Sequence, residues 1–179
     1  MPHGRSGCPI NLSAELLGDR WSLVVLRDMV FGGHRRFRAL LTNSMEGIAS
    51  NILAARLAKL TAAGLLTRHE DPGQSQKVEY RLTEAAIQLI PVMAHLGLWG
   101  VRWLPTTPEL AVRARLLAEG GPAMWERLMD ELRAVHLDGA AAPPGGVLAE
   151  LRSAYLEAAD PQSSSGRSDG PSAEQEPRE

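Results

Sequence analysis

Apolar residues recur at helical spacing through the first hundred positions, and turn-forming residues cut the pattern into short pieces. Ile10, Leu12, Leu16 and Leu17 predict a first helix that Pro9 opens and Gly18 ends. Asp19 stands as the cap of a second helix, whose apolar side carries Trp21, Val24, Val25 and Met29 and which Gly32 and Gly33 stop. A short extended piece over 34–37 leads to a brief helix over 38–41, with Phe37, Leu40 and Leu41 facing inward. After a turn at 42–47 comes the cleanest amphipathic helix of this half, about 49–63. Leu53, Leu57 and Leu60 fall on one stripe, and Gly64 occupies the place of a left-handed cap.

The period then changes from helical to alternating. Residues 65–70 and 77–82 predict two strands around a tip of Asp71, Pro72, Gly73 and Gln74. In the second strand Val78, Tyr80 and Leu82 alternate with Lys77, Glu79 and Arg81, so one face packs and the other is solvated. Thr83 opens a long helix read as continuous to about Trp103 and apolar on several sides, which calls for a partner surface. Beyond Pro105 the pattern predicts helices over 108–119, 122–137 and 147–159. From Pro161 onward Ser, Gly, Pro and Glu dominate without Leu, Ile, Val or aromatic residues, and this tail is expected to be disordered.

Composition narrows the fold. The 179 residues include 26 Leu and 24 Ala but only 8 aromatic residues, which suits packed helices and argues against an all-β fold. The expected class is therefore mainly α with a small β-hairpin. The longest run free of Asp, Glu, Lys and Arg covers the 17 residues 85–101 and includes Pro91 and His95, so no membrane span is expected. With no signal segment at the start and a single cysteine, Cys8, the chain reads as soluble and cytoplasmic.

Charge changes the functional picture. Residues 1–104 carry 12 Lys and Arg against 8 Asp and Glu, whereas 105–179 carry 7 against 13. A front half at +4 and a rear half at −6 point to an anionic partner at the front. The element order (helix, helix, short strand, helix, helix, hairpin, helix) is that of a winged helix-turn-helix, in which one helix enters a DNA major groove and the hairpin reaches the neighbouring backbone. The same order also fits a small core without a ligand. On the helix over 49–63, the side opposite the leucines carries Asn51, Ala55, Ala58 and Ala62, with Ser50 at its start and Lys59 on a flank. Small residues admit close approach to base edges, and Asn51 can pair with adenine, although an Ala-rich face also suits helix packing. Arg56 could reach a phosphate or an acidic neighbour. Arg35, Arg36 and Arg38 before the short helix, and Arg68, His69 and Lys77 on the hairpin, are the natural phosphate contacts. Enzyme signatures are missing: the five histidines have no metal spacing, no nucleophile motif or phosphate loop occurs, and neither a cofactor nor a metal is expected.

The spaced combination of Cys8-Pro9-Ile10, Leu17 through Leu23, Arg36-Phe37, Gly47-Ile48, Arg56-Leu57, Ala63 through Leu66, Val78 through Thr83, and Pro91 to Trp99-Gly100 resembles the HxlR-type family of bacterial winged helix-turn-helix regulators. The resemblance runs from Gly7 to Leu104. It implies a homodimer, joined through the first helix and the long helix after the wing, that binds a near-palindromic operator, with repression as the expected outcome. It also implies a candidate thiol sensor at Cys8 for oxidants or electrophiles. A small-molecule or oxidant effector is thus expected among the partners, beside double-stranded DNA and a second copy. Pro9 after Cys8 would place the thiol at a positive helix end; an inert residue at a subunit seam is the other reading. The expected organisation is a DNA-binding and dimerisation domain over 1–104, a helical extension over 105–160 and the tail over 161–179. The alternative function is a winged-helix module that binds protein and not DNA.

Overall fold

The computed structural model describes residues 6–70 and 78–160. The helices are α1 (Pro9–Leu17), α2 (Ser22–Gly32), α3 (Phe37–Thr42), α4 (Ser50–Ala62), α5 (Glu84–Ile87), α6 (Ile90–Trp103), α7 (Pro108–Glu119), α8 (Gly121–His136) and α9 (Val147–Ala159). Strands β1 (Leu66–Glu70) and β2 (Val78–Leu82) lie between α4 and α5 and pair antiparallel, from Leu66 opposite Leu82 to Glu70 opposite Val78. This is the expected mainly helical fold with one small hairpin, a winged helix-turn-helix followed by three further helices. The expected hairpin tip and Lys77 lie outside the described residues, as do the tail over 161–179 and residues 1–5.

Local chemistry explains the boundaries. Asp19 accepts hydrogen bonds from the N–H groups of Trp21 and Ser22, each at 3.0 Å, and from the Ser22 hydroxyl at 2.6 Å, so it satisfies the free amides that open α2. Gly33 and Gly64, at φ +64° and +74°, take the left-handed conformation that follows α2 and α4. The helix expected over 83–103 is broken: Gln88 and Leu89 form a turn between α5 and α6. Pro91 has no N–H to give the Ile87 carbonyl, and its ring would crowd that carbonyl in a continuous helix. Thr83 precedes α5 but does not cap it, because its hydroxyl donates to the Gly64 carbonyl at 2.7 Å and ties the wing to the end of α4.

One buried cluster runs through the molecule. Leu26, Met29, Leu40, Leu53, Leu57 and Leu60 join the helix-turn-helix, Leu66, Leu82 and Ile87 bring in the wing, and Leu117, Leu128, Leu132 and Leu151 continue it through α7–α9. The extension therefore packs on the wing and α6 through shared apolar surface, with α7 against α6 and α9, and α8 against β2 and α5. Polar contacts lock it in place. Arg133 of α8 binds Glu84 at 2.9 Å as well as Glu126 and Asp130, and the guanidinium holds the Glu84 carboxyl down at about 2. Glu131 accepts from the N–H groups of Val147 and Leu148 at the start of α9. By length and composition, 84–103 could cross a membrane. Here it is interrupted by the turn and buries Ala86, Ile87, Ile90 and Ala94 in the core.

The free edge of β2 is closed in an unusual way. The Tyr80 N–H donates to the Arg35 carbonyl at 2.7 Å, and Arg36 forms an isolated bridge with Glu79. Further along, the Leu82 N–H donates to Nδ1 of His136, the last residue of α8, at 3.2 Å. His136 is 3% exposed, and burial, with Arg35 and Arg81 nearby, pushes its pKa from 6.5 down to about 4. The folded protein thus holds His136 neutral, with Nδ1 as acceptor. Its contribution is complete above pH 6.5 and fades as the pH falls from there towards 4, because only the unfolded chain readily takes the proton. Urea unfolding at pH 7.5 and 4.5 should show the wild type losing on the order of 2–3 kcal/mol more than His136→Asn, which offers an acceptor that does not titrate. Equal losses would show that His136 does not control the acid response.

Candidate nucleic-acid interface

Helix α4 turns Leu53, Leu57 and Leu60 into the core and leaves Ser50, Asn51, Ala54, Ala55, Ala58 and Ala62 exposed. No side chain caps its start, where Ala49 is extended at ψ 146°, so the first amide groups and the Ser50 and Asn51 side chains share one open end. A helix of 13 residues without large side chains on its outer face can lie deep in a groove about 12 Å wide.

The cations expected around α4 fall into two sets. Arg36 and Arg38 are exposed, at and just inside the start of α3, which packs on α4. Arg68 and His69 are exposed on β1; Arg68 pairs with Glu70 at 2.8 Å, and His69 Nε2 shares a 2.9 Å hydrogen bond with the Thr67 hydroxyl.

The other three turn inward. Lys59 donates to the carbonyls of Leu16 at 2.6 Å and Glu15 at 3.3 Å, and to Asp19 Oδ2 at 2.9 Å, closing the C-terminal end of α1. Arg56 Nε lies 3.3 Å from Asp19 Oδ1, outside hydrogen-bonding geometry. Arg35 bridges Glu79 at 2.9 Å and the Val135 carbonyl at 3.4 Å, between the wing and α8. In these contacts Arg35, Arg56 and Lys59 position elements around the interface and are not free to meet phosphate.

Asp19, read from the sequence only as a helix cap, is the hub of this arrangement. Burial alone would raise its pKa. Hydrogen bonds from the Ser22 hydroxyl, Lys59 and the amides of Trp21 and Ser22 outweigh that and hold it far below the ordinary carboxylate range. Cys8 is a free, exposed thiol immediately before α1, and its side chain makes no capping hydrogen bond. Among the described residues no three His, Cys, Asp or Glu side chains gather as metal ligands would.

An exposed helix of small residues, set between a cation-bearing turn and a β-hairpin, defines a winged helix-turn-helix transcriptional regulator. The description of the HxlR-like helix-turn-helix family matches residues 16–108, and the chain belongs to that family. An HTH-type transcriptional regulator of Mycobacterium tuberculosis, Rv3095, is 37% identical over 115 residues, 64% of this chain and 71% of that protein. The Synechocystis regulator sll1512 is 35% identical over 115 residues, covering 64% of this chain and 82% of its own length. The solved structure of PA1607 overlays with a TM-score of 0.52 at 33% identity, across 59% of this chain and 72% of that one. The family match ends at residue 108, where α7 begins.

Proposed function

We propose that the regulator is a homodimer that recognises a near-palindromic DNA operator with its two α4 helices and represses by occupying it. The outer face of α4 carries this reading: Ser50 and Asn51 stand at its open end, and four alanines let the helix approach base edges. Arg36, Arg68 and His69 supply phosphate contacts on either side. The dimer part rests on apolar surface that the core does not use. Val92, Leu96, Trp99 and Trp103 form one exposed stripe along α6, and Ile10 and Leu12 of α1 are exposed as well. Cys8 stands beside Ile10, so an adduct on its thiol would bear directly on how two first helices meet.

Titration of duplexes from the DNA flanking its gene tests this reading. Affinity should fall steeply with salt; Arg36→Ala should weaken every sequence about equally and lower the salt slope by ~1. Asn51→Ala should instead remove preference at one base position, by ~1–3 kcal/mol for a bidentate contact. Affinity no tighter than micromolar at low salt for every duplex would hand the fold to the protein-binding alternative.

A further inference from the structure

A cleft of about 530 Å³ opens between α2, α6 and α7, and Leu151 of α9 lies in its wall. That volume is within the range of small-molecule sites, and its lining is mainly apolar. Its wall is shared by α2 and the turn at 43–46, by α6, and by the extension through α7 and Leu151, so the cleft takes its shape from where α7 and α9 pack.

Two arginines lie in the wall, and they differ. Arg27 is neutralised: it binds Asp28 and Glu46, each at 2.6 Å, and both acids also line the cleft. Arg113 makes no ion pair among the described residues. Its guanidinium carbon sits 5.8 Å from the ring centre of Phe31 and 5.5 Å from that of Tyr155, between two apolar faces. Burial there lowers its pKa, the mark of a charge taken from water without a counter-ion.

The glycines of α6 add a second, independent observation. At Gly97 a Cβ would meet the Ala114 Cβ at 3.4 Å, at the edge of ordinary contact, so α6 and α7 pack closely there. At Gly100, in the last turn of α6, a Cβ would meet nothing within 4 Å, and this residue lines the cleft. Helix packing does not require glycine there, and its bare Cα leaves the wall of the cleft open.

We infer that this cleft binds a small apolar or aromatic carboxylate, whose hydrocarbon body lies along α6 at Gly100 and whose anionic end meets Arg113. A carboxylate is the group that a planar guanidinium holds with two parallel hydrogen bonds, and Phe31 gives an aromatic body a ring to lie against. The inference concerns ligand binding alone and stands whether or not the chain binds DNA.

Fluorescence titration of the full chain with anthracene-2-carboxylate tests it, beside the matching neutral alcohol and the matching primary amine. The carboxylate should saturate at one per chain with Kd below about 100 μM, at least tenfold tighter than the alcohol or the amine. Arg113→Met keeps the length of the side chain between Phe31 and Tyr155; it should weaken the carboxylate at least tenfold and leave the alcohol within about twofold. Gly100→Leu should abolish binding of all three while leaving the melting temperature unchanged or raised, so loss of binding cannot be loss of fold. Absence of saturable carboxylate binding, tighter binding of the amine, or undiminished binding in Gly100→Leu would each overturn the assignment.

Discussion

Asp19→Ala is expected to lower the unfolding free energy by about 2–3 kcal/mol, a large effect for a partly exposed residue. The capping of α2 accounts for about 1–2 kcal/mol, because the amides of Trp21 and Ser22 and the Ser22 hydroxyl lose their shared acceptor. The ion pairs add about 1 kcal/mol: Lys59 would keep the Leu16 carbonyl, but the carboxylate it shares with Arg56 would be gone. Asp19→Asn, which keeps an oxygen to cap α2, should lose about half as much. The pH dependence separates this effect from that of His136. Asp19 ionises well below its ordinary value of 3.8, so its contribution is complete above about pH 4 and is lost only as the pH falls further. Urea unfolding should therefore find the Asp19→Ala deficit constant from pH 7.5 to 4.5, the window in which the His136 contribution fades. A deficit that shrinks across that window would mean that Asp19 is not held as described.

The second large effect concerns assembly. Trp99→Glu with Trp103→Glu should turn the proposed dimer into a folded monomer and weaken operator binding at least about a hundredfold, since linked half-sites raise avidity by that order or more. The fold should survive because these side chains are 53% and 72% exposed and add nothing to the core. Two carboxylates in the stripe of Val92 and Leu96 would instead meet their counterparts across a symmetric seam, where desolvation and like charge oppose contact. Sedimentation at micromolar concentration together with a titration of the operator checks both statements. A double variant that stays dimeric would move the seam off α6.

Much of the fold was legible because it rests on local rules. The leucine stripe of α4, the left-handed glycine after it, and the bounds of α7 and α9 follow from periodicity and capping within a few residues. The break between α5 and α6 is hidden in the sequence, because apolar residues keep helical spacing straight across Gln88 and Leu89. The exposure of Ser50 and Asn51 was legible, since it follows from the leucine stripe on the same helix. The site was not legible at Lys59 or Arg35: Lys59 meets Asp19 across 40 positions of chain, and Arg35 meets Glu79 on a different element. Charge alone does not say which cations find an acid in the folded chain. The cleft at Arg113 was invisible for the same reason, since its walls come from four helices whose packing no local pattern specifies.

Closure of the β2 edge by His136 has a consequence for how this chain can be shortened. Cutting it back to residues 1–104 would remove α8 and leave the Leu82 amide without its acceptor, while the Arg35 carbonyl would still hold the Tyr80 amide. An uncovered strand next to newly exposed leucines is a template for strand addition between molecules. The extension thus covers the Leu82 end of β2, and a fragment of residues 1–104 is expected to associate through that end.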